Sequence, residues 1–443
     1  MKTSQFIFKT DYPETGETLL YNTLNGALLA IDEEKTDRLN TILYQKTDIP
    51  VDSDLEQLLM EEEFLIFDDY NEINVVLERS NLGISDENRL DVIIMPTMNC
   101  NFACPYCYED HHKSNMTEET QNQLVTWFER VAPKFKTVLI NWFGGEPLLG
   151  YDTIVNLQQR FIRICKDNDI PYSSHITTNG YLINELRAKE LVQLGIYSYQ
   201  ITIDGSPEFH NKTRVLKNGD GTFDKILKNV ILLAEASEEV NIKLRVNYDD
   251  KNIKSIYHLL PLFPAHIRHQ LVLVCERIFG ESYGIFEDES INHGDEVAEL
   301  YRFAADLGYS TSQDELVPGR LTFCYADRHN QFLFNYNGDV FKCTVGKFKP
   351  EQRLGILNEF GQIEWEKSKL GDWYATDTFE EKCYTCTYMP VCMGGCRKVR
   401  KMFGTVGDDC TTPFLGFDTN VRNMYTQFLN NKNNVYAKSE IQN

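Results

Sequence analysis

The stretch Cys100-Asn101-Phe102-Ala103-Cys104-Pro105-Tyr106-Cys107 sets three cysteines in a C-x3-C-x2-C spacing. It directly follows the apolar run Leu90-Asp91-Val92-Ile93-Ile94-Met95, which reads as a buried strand. Three thiolates held close together bind metal, and soft sulfur ligands suit zinc or an iron–sulfur cluster. A closed structural zinc site wants four ligands. Three cysteines can instead hold a four-iron cluster and leave one iron open to a small molecule. The bland alternative is three structural core cysteines.

The rest of the chain reads as globular. Its 443 residues suffice for two or three domains, and 42% hydrophobic content with 26 Gly and 14 Pro is not that of a disordered chain. No apolar run reaches membrane-spanning length, and the start MKTSQFIFKTDYPETG lacks a signal-peptide pattern. A cytoplasmic protein without a membrane partner is therefore expected. In that compartment twelve cysteines argue for metal binding rather than disulfides. A net charge of −22 with no basic stripe argues against a nucleic-acid partner.

From residue 90 the sequence alternates strand and helix. Expected strands are Leu90–Thr97, Thr137–Phe143, Ser174–Thr178, Tyr199–Ile203, Ile242–Asn247 and Gln270–Ile278. Helical patterns lie between them, for instance Thr117–Phe135 with Leu124, Trp127, Phe128 and Val131 at helical spacing. This alternation implies an α/β fold, a parallel sheet with helices outside. Residues 1–88 read as a small α+β unit: short strands at Gln5–Phe8, Thr18–Tyr21 and Ala27–Ile31, an Asn25-Gly26 hairpin, then helices near Glu33–Tyr44 and Asp54–Glu63. Thr419–Leu429 reads as a terminal helix and Asn430–Asn443 as a polar tail.

The second expected strand ends in Gly144-Gly145-Glu146-Pro147. Glycines let a backbone approach a ligand closely. Taken alone, the tetrad could be an ordinary strand-to-helix turn. Together with C-x3-C-x2-C and the aromatic before its last cysteine, it resembles the radical S-adenosylmethionine (SAM) superfamily. The resemblance implies a partial (β/α)6 TIM-type barrel over 89–308, with the chemistry at the carboxyl ends of its strands. It also implies a 4Fe–4S cluster on Cys100, Cys104 and Cys107 and SAM on the open iron. By the same resemblance Tyr106 neighbours the adenine and the Gly144-Gly145-Glu146 loop binds the SAM amino group. Ile201-Thr202-Ile203-Asp204-Gly205-x4-His210-x3-Arg214 is similar to the segment in peptide-modifying members where a hydroxyl and an arginine contact SAM, here Thr202 and Arg214. A loop salt-bridge set is the plainer reading of Asp204, His210 and Arg214.

Beyond a bridging region, 309–323, residues 324–410 carry Cys324, Cys343, Cys383-x2-Cys386-x5-Cys392-x3-Cys396 and Cys410. Asn337-Gly338 predicts a hairpin between Gln331–Asn335 and Val340–Lys342, which brings Cys324 toward Cys343. Seven ligands do not divide into two complete four-cysteine zinc sites. The set resembles the SPASM extension, which binds two auxiliary 4Fe–4S clusters, making three in all. The pattern implies Cys324, Cys343 and Cys396 on the first and Cys383, Cys386, Cys392 and Cys410 on the second. Cys392 and Cys396 are expected about a helical turn apart. Cys165 and Cys275 remain, as small core residues. The first auxiliary cluster is thus short of one cysteine and could bind a substrate thiolate.

SPASM members act on peptides or proteins. One class oxidises a sulfatase cysteine or serine to formylglycine and carries an aspartate just after the cysteine matching Cys343; here Thr344 stands there. The other class matures ribosomally made peptides, and residues 1–88 resemble its winged-helix-like modules for leader peptides, or else cap the barrel. The expected function is a peptide maturase that installs a crosslink, thioether before carbon–carbon. Its expected partners are a precursor peptide with a leader and an electron donor such as flavodoxin or ferredoxin. A formylglycine maturase and a non-catalytic iron–sulfur electron carrier are the alternatives. Tyr325, Asp327 and His329 are candidate proton acceptors, and no catalytic residue is assigned.

Overall fold

A computed structural model describes residues 1–278, 294–311, 324–375, 377–398, 400 and 416–440. Near the amino terminus, β1 (Lys2–Thr3) pairs later with β5 (Leu65–Ile66), while β2 (Ile7–Tyr12), β3 (Glu17–Asn22) and β4 (Leu28–Ile31) form an antiparallel three-stranded sheet. Gly26, at φ +84°, turns the chain between β3 and β4 where Asn-Gly predicts it. Helices Glu33–Gln45 and Asp54–Glu61 bury Leu39, Ile42, Leu55 and Leu59 with Leu20 and Ile31. A further helix, Glu72–Ile84, escaped the sequence reading; Asn71 caps it by accepting from Asn74 N at 3.2 Å.

The large sheet holds β6 (Arg89–Ile94), β7 (Thr137–Trp142), β8 (Tyr172–Thr178), β9 (Ser198–Thr202), β10 (Asn241–Tyr248) and β11 (Leu271–Arg277) as parallel neighbours in sequence order. These are the six strands read from the alternation, and the chain has the expected α/β class. Along each strand one face is apolar: Leu90, Val92, Ile94, Val138, Ile140, Trp142, Tyr199, Ile201, Leu244 and Val246 pack under the helices. The helix Tyr151–Asp167 answers with Ile154, Leu157, Phe161 and Ile164. The other face carries Asn141, His175, Gln200, Lys243 and Arg245 and lines the lumen.

The sheet does not stop at six strands. β12 (Ser310–Thr311) adds beyond β11, and β13 (Gln331–Phe334) pairs parallel with β6. β14 (Asp339–Phe341), β15 (Gly355–Leu357) and β16 (Ile363–Trp365) continue antiparallel, giving eleven strands among the described residues. The expected hairpin at Asn337-Gly338 is therefore also an extension of the large sheet. The terminal helix runs Phe417–Glu440, past the expected end at Leu429 and through much of the segment read as a tail. Its aromatics dock on the amino-terminal sheet: Phe417 lies edge-on to Phe8 at 4.8 Å and Tyr425 to Tyr12 at 5.0 Å. Among the described residues no helix is long and apolar enough to cross a membrane.

Candidate functional site

Three separated motifs meet at the carboxyl ends of the strands because their backbones bond to one another. Gly145 N donates to Thr97 O at 3.3 Å and Glu146 N to Asn99 O at 2.8 Å. Gly144 sits at φ +119°, and a Cβ there would lie 2.4 Å from Thr97 O; one on Gly145 would lie 2.6 Å from Asn99 O. Only glycine lets the two loops come this close. On the other side Ala103 N donates to Val215 O at 2.9 Å and Lys217 N to Asn101 O at 3.1 Å. The cysteine loop is thereby held between the Gly144-Gly145 loop and the segment following Arg214.

Cys100 is buried, Cys104 half-buried and Cys107 exposed. Burial pushes the Cys100 thiol up to about 12 and raises that of Cys104 as well. Each is a thiol until metal displaces its proton. Among the described residues no three His, Cys, Asp or Glu side chains converge on a single-ion position. A cuboidal cluster spreads its ligand sulfurs wider than one ion does, and an all-thiol donor set suits iron–sulfur. Two buried donors at this loop, Asn101 Nδ2 and Arg214 Nε, have no hydrogen-bond partner. Such donors are costly unless an acceptor from outside the chain meets them.

Tyr106 is tied by its hydroxyl, which donates to Asp204 and accepts from Arg214 Nη1 at 2.9 Å and Asn247 Nδ2 at 3.3 Å. Asp204 Oδ1 also accepts from Asn247 N at 3.3 Å and Oδ2 from Thr213 Oγ1 at 3.1 Å. Burial alone would lower the Arg214 pKa, but Tyr106, Cys104 and Asp204 around it win and hold it well above its ordinary value. His210 is fully buried and neutral: Nδ1 accepts from Asp204 N at 3.2 Å and Nε2 donates to Thr222 Oγ1 at 2.9 Å. Burial, then Arg214, lowers its pKa well below the usual range. His210 therefore orders the loop and forms no salt bridge. Thr202 ends β9, almost buried, in register with Arg245.

Glu146, expected in the loop that binds the SAM amino group, turns inward. It is fully buried, with Oε1 accepting from Leu148 N at 3.0 Å and Thr178 Oγ1 at 2.7 Å, and Oε2 from Asn179 N at 2.7 Å. It fastens the glycine loop to the end of β8. Asn247 and His111 were missed by sequence reasoning. His111 Nε2 lies 3.2 Å from Cys107 Sγ and Nδ1 3.2 Å from Met98 O. The Cys107-x3-His111 spacing was a visible signal; Asn247, at the end of β10, offered none.

Residues 94–260 match the radical SAM superfamily. This chain carries a radical SAM domain. The chain is similar to the serine-type anaerobic sulfatase-maturating enzyme of Bacteroides thetaiotaomicron, 25% identical over 352 residues, covering 68% of this chain and 80% of that one. It is also similar to the radical SAM cyclopropyl synthase TigE of Paramaledivibacter caminithermalis, 24% identical over 450 residues, covering 87% and 88%. Among solved structures, anSMEcpe with bound AdoMet and Cp18Cys peptide shares the fold, at TM-score 0.57 and 19% identity, covering 78% of this chain and 99% of that one. The radical SAM domain makes the protein an enzyme of radical chemistry that uses a 4Fe–4S cluster and SAM.

Of the later cysteines, Cys383 packs on the amino-terminal unit, with Phe6, Leu24 and Val76. Cys324, Cys343 and Cys396 are within electrostatic reach of one another, and burial raises the first two. Tyr108, next after Cys107, is likewise within reach of Tyr325, next after Cys324. Cys383 and Cys386 flank a tight turn in which Cys386 N donates to Cys383 O at 3.0 Å. Cys392 and Cys396 are not a helical turn apart as expected. Met393, Gly394 and Gly395 all take positive φ, at 48°, 81° and 65°, and end the helix Met389–Cys392 in a left-handed turn. Cys410 lies outside the described residues. Cys165 is buried in the main core and Cys275 packs against it.

Two of the candidate proton acceptors are better explained otherwise. Asp327 is fully buried and held by the guanidinium groups of Arg397 and Arg400, both buried. The His329 ring stands edge-on to Tyr374 at 5.2 Å, and its backbone N–H donates to Ile84 O at 2.9 Å. Tyr325 remains at the mouth, its hydroxyl 2.6 Å from Thr344 Oγ1.

Proposed function

We propose that the protein is a maturase of a ribosomally synthesised peptide and installs an intramolecular crosslink, a thioether in preference to a carbon–carbon bond. The single observation that carries this reading is the contact between the segment that follows the first cysteine loop and the turn between β13 and β14: His112 Nε2 lies 3.1 Å from Tyr336 Oη. It brings the first cysteine loop near the hairpin that carries Cys343, as a substrate visiting both would require. Cys100, Cys104 and Cys107 would hold the radical SAM cluster, with Tyr106, Gly144, Gly145, Thr202 and Arg214 around SAM and Glu146 fixing the loop. Cys324, Cys343 and Cys396 would hold a second cluster and Cys383, Cys386, Cys392 and Cys410 a third. Bound there, cluster and SAM supply a 5′-deoxyadenosyl radical that abstracts a hydrogen atom.

Forming a thioether removes two hydrogens from the peptide: one as an atom, the other as the thiol proton, with one electron left over. A cluster on Cys324, Cys343 and Cys396 can accept that electron, and a substrate thiolate could take the place of its missing cysteine. Among the described residues no strand pairs with the outer edge of β4, the arrangement by which a leader is added as a strand. The relatives include a cyclopropyl synthase and sulfatase-maturating enzymes, and the anSMEcpe structure holds a peptide. Formylglycine formation is the second reading, favoured by those sulfatase relatives and opposed by Thr344, which stands where the sulfatase-maturing resemblance implies an aspartate. A flavodoxin- or ferredoxin-type donor would supply the reducing electron.

The test is co-expression with candidate precursor peptides under anaerobic conditions, followed by mass spectrometry. A loss of two hydrogens per link, with matching 5′-deoxyadenosine, is expected. Formylglycine in a sulfatase peptide and no linked product would overturn the crosslinking assignment.

A further inference from the structure

In a chain of net charge −22, no Asp or Glu occurs in residues 340–350 or 390–400. These stretches carry Lys342, Lys347, Lys349, Arg397, Lys398 and Arg400. Some are accounted for internally. Asp327 pairs with both Arg397 and Arg400, and buried Lys342 donates to the carbonyls of Arg328, His329 and Gln331 at 2.7, 3.0 and 2.7 Å. Three cations remain at the surface beside Cys343. Lys347 and Lys349 are exposed on the loop that follows it, and the ammonium of Lys398 donates to Val345 O.

A fourth cation lies inside the lumen. Arg245, half-buried on the inward side of β10, is braced by Nε on Asn247 Oδ1 at 2.8 Å. Its guanidinium is within electrostatic reach of Tyr108, which in turn reaches Tyr325. Tyr325 bonds Thr344 beside Cys343. Tyr108, Tyr325 and Val345 are 41%, 36% and 46% exposed. Tyr325, Thr344, Val345 and Lys398 are joined by hydrogen bonds, and Arg245 and Tyr108 lie within electrostatic reach of that group. Glu109 and Asp110 adjoin Tyr108 in sequence, yet among the described residues no carboxylate forms an ion pair with Arg245, Lys347, Lys349 or Lys398.

We infer that this face seats an acidic stretch of the substrate peptide, with one carboxylate on Arg245 and further ones on Lys347, Lys349 and Lys398. The inference rests on the peptide-maturase reading and adds the class of peptide. A braced guanidinium in a partly desolvated lumen is the group that recognises a carboxylate in a fixed orientation. Exposed lysines around the mouth raise the local concentration of an anionic chain and set its register more than its affinity. Arg245 is thus a specificity and positioning residue.

The test uses the full-length, anaerobically reconstituted protein with SAM and two fluorescein-labelled dodecapeptides of Gly, Ala, Ser and Val. One carries three glutamates and the other glutamines at the same places. Anisotropy is expected to show the glutamate peptide binding about tenfold tighter or more at low salt, with the preference shrinking at high salt. Arg245→Gln is expected to reduce the preference, and Arg245→Lys to restore part of it. The surface triple variant Lys347→Gln, Lys349→Gln, Lys398→Gln is expected to reduce it too. Equal binding of the two peptides, no binding of either, or a preference that survives in every variant overturns the inference. So does a triple variant that slows reduction by an acidic flavodoxin and keeps the peptide preference, which makes the face a donor dock. Formation of 5′-deoxyadenosine by the wild type with dithionite and SAM, without peptide, separately reads the radical step. Mass spectrometry of linked precursor reads the maturase assignment, so the failures are distinguishable.

Discussion

Replacing Glu146 by glutamine probes how the Gly144-Gly145 loop is held. All three partners of this buried carboxylate are donors: Leu148 N, Thr178 Oγ1 and Asn179 N. Thr178 Oγ1 already accepts from Gly180 N at 3.1 Å, so its proton points to Glu146. Burial pushes the Glu146 pKa up, while the three donors favour the anion. Glutamine retains one oxygen but turns an amide N–H toward another donor. One backbone N–H and one amide N–H are then buried without acceptors, at about 1–3 kcal/mol each. With some relaxation of the loop, about 3 kcal/mol in total is expected, or roughly a hundredfold in an opening equilibrium. Hydrogen exchange of the apoprotein, followed by mass spectrometry on peptides covering 144–150 and 176–184, measures it directly. Protection there should fall about a hundredfold, with the interior of the helix Tyr151–Asp167 unchanged. Protection within about threefold of wild type would refute the reasoning, since the site would then hold a protonated acid that glutamine replaces freely.

Three further outcomes are expected. With three clusters the reconstituted protein should hold about twelve irons per chain, and Cys100→Ala, Cys104→Ala, Cys107→Ala about eight; an unchanged iron content speaks against a cluster on that loop. Asp327→Asn strands two buried guanidinium groups and should cost about 3–5 kcal/mol, seen as a lowered Tm; an unmoved Tm counts against the buried pairing. Burial, with Lys243 nearby, holds the His175 pKa at about 4, below its ordinary 6.5. The unfolded chain therefore takes up this proton first, so stability is full above pH 6.5 and about 3 kcal/mol is lost as pH falls to 4. His175→Gln should flatten that part of the pH profile in urea titrations, and an unaltered slope would argue against it.

Much of the site was legible because its chemistry is local. Cysteine spacing on one loop, a Gly-Gly pair after a strand and strand–helix alternation each depend on neighbours a few residues away. The roles of individual side chains were less legible. Glu146 looks like a ligand residue in its motif, yet three donors from within the protein turn it inward. Asp327 looks like a base near Cys324, but two arginines some seventy positions on enclose it. The Cys392–Cys396 spacing is the same in a helix and in a left-handed turn, and only the positive φ of Met393, Gly394 and Gly395 distinguishes them.

By itself the sequence determined the six parallel strands, the positions of the cysteine sets and the helices around the sheet, because periodic burial and turn chemistry act over short range. The tertiary structure alone decided that β13 joins β6 in one sheet, that the terminal helix lies across the amino-terminal strands, and that His112, after the first cysteine loop, meets Tyr336. Such pairings are set by the apolar surface and the hydrogen bonds that remain once the local elements exist. Many distant segments can compete for them, and no short stretch of residues names the winner.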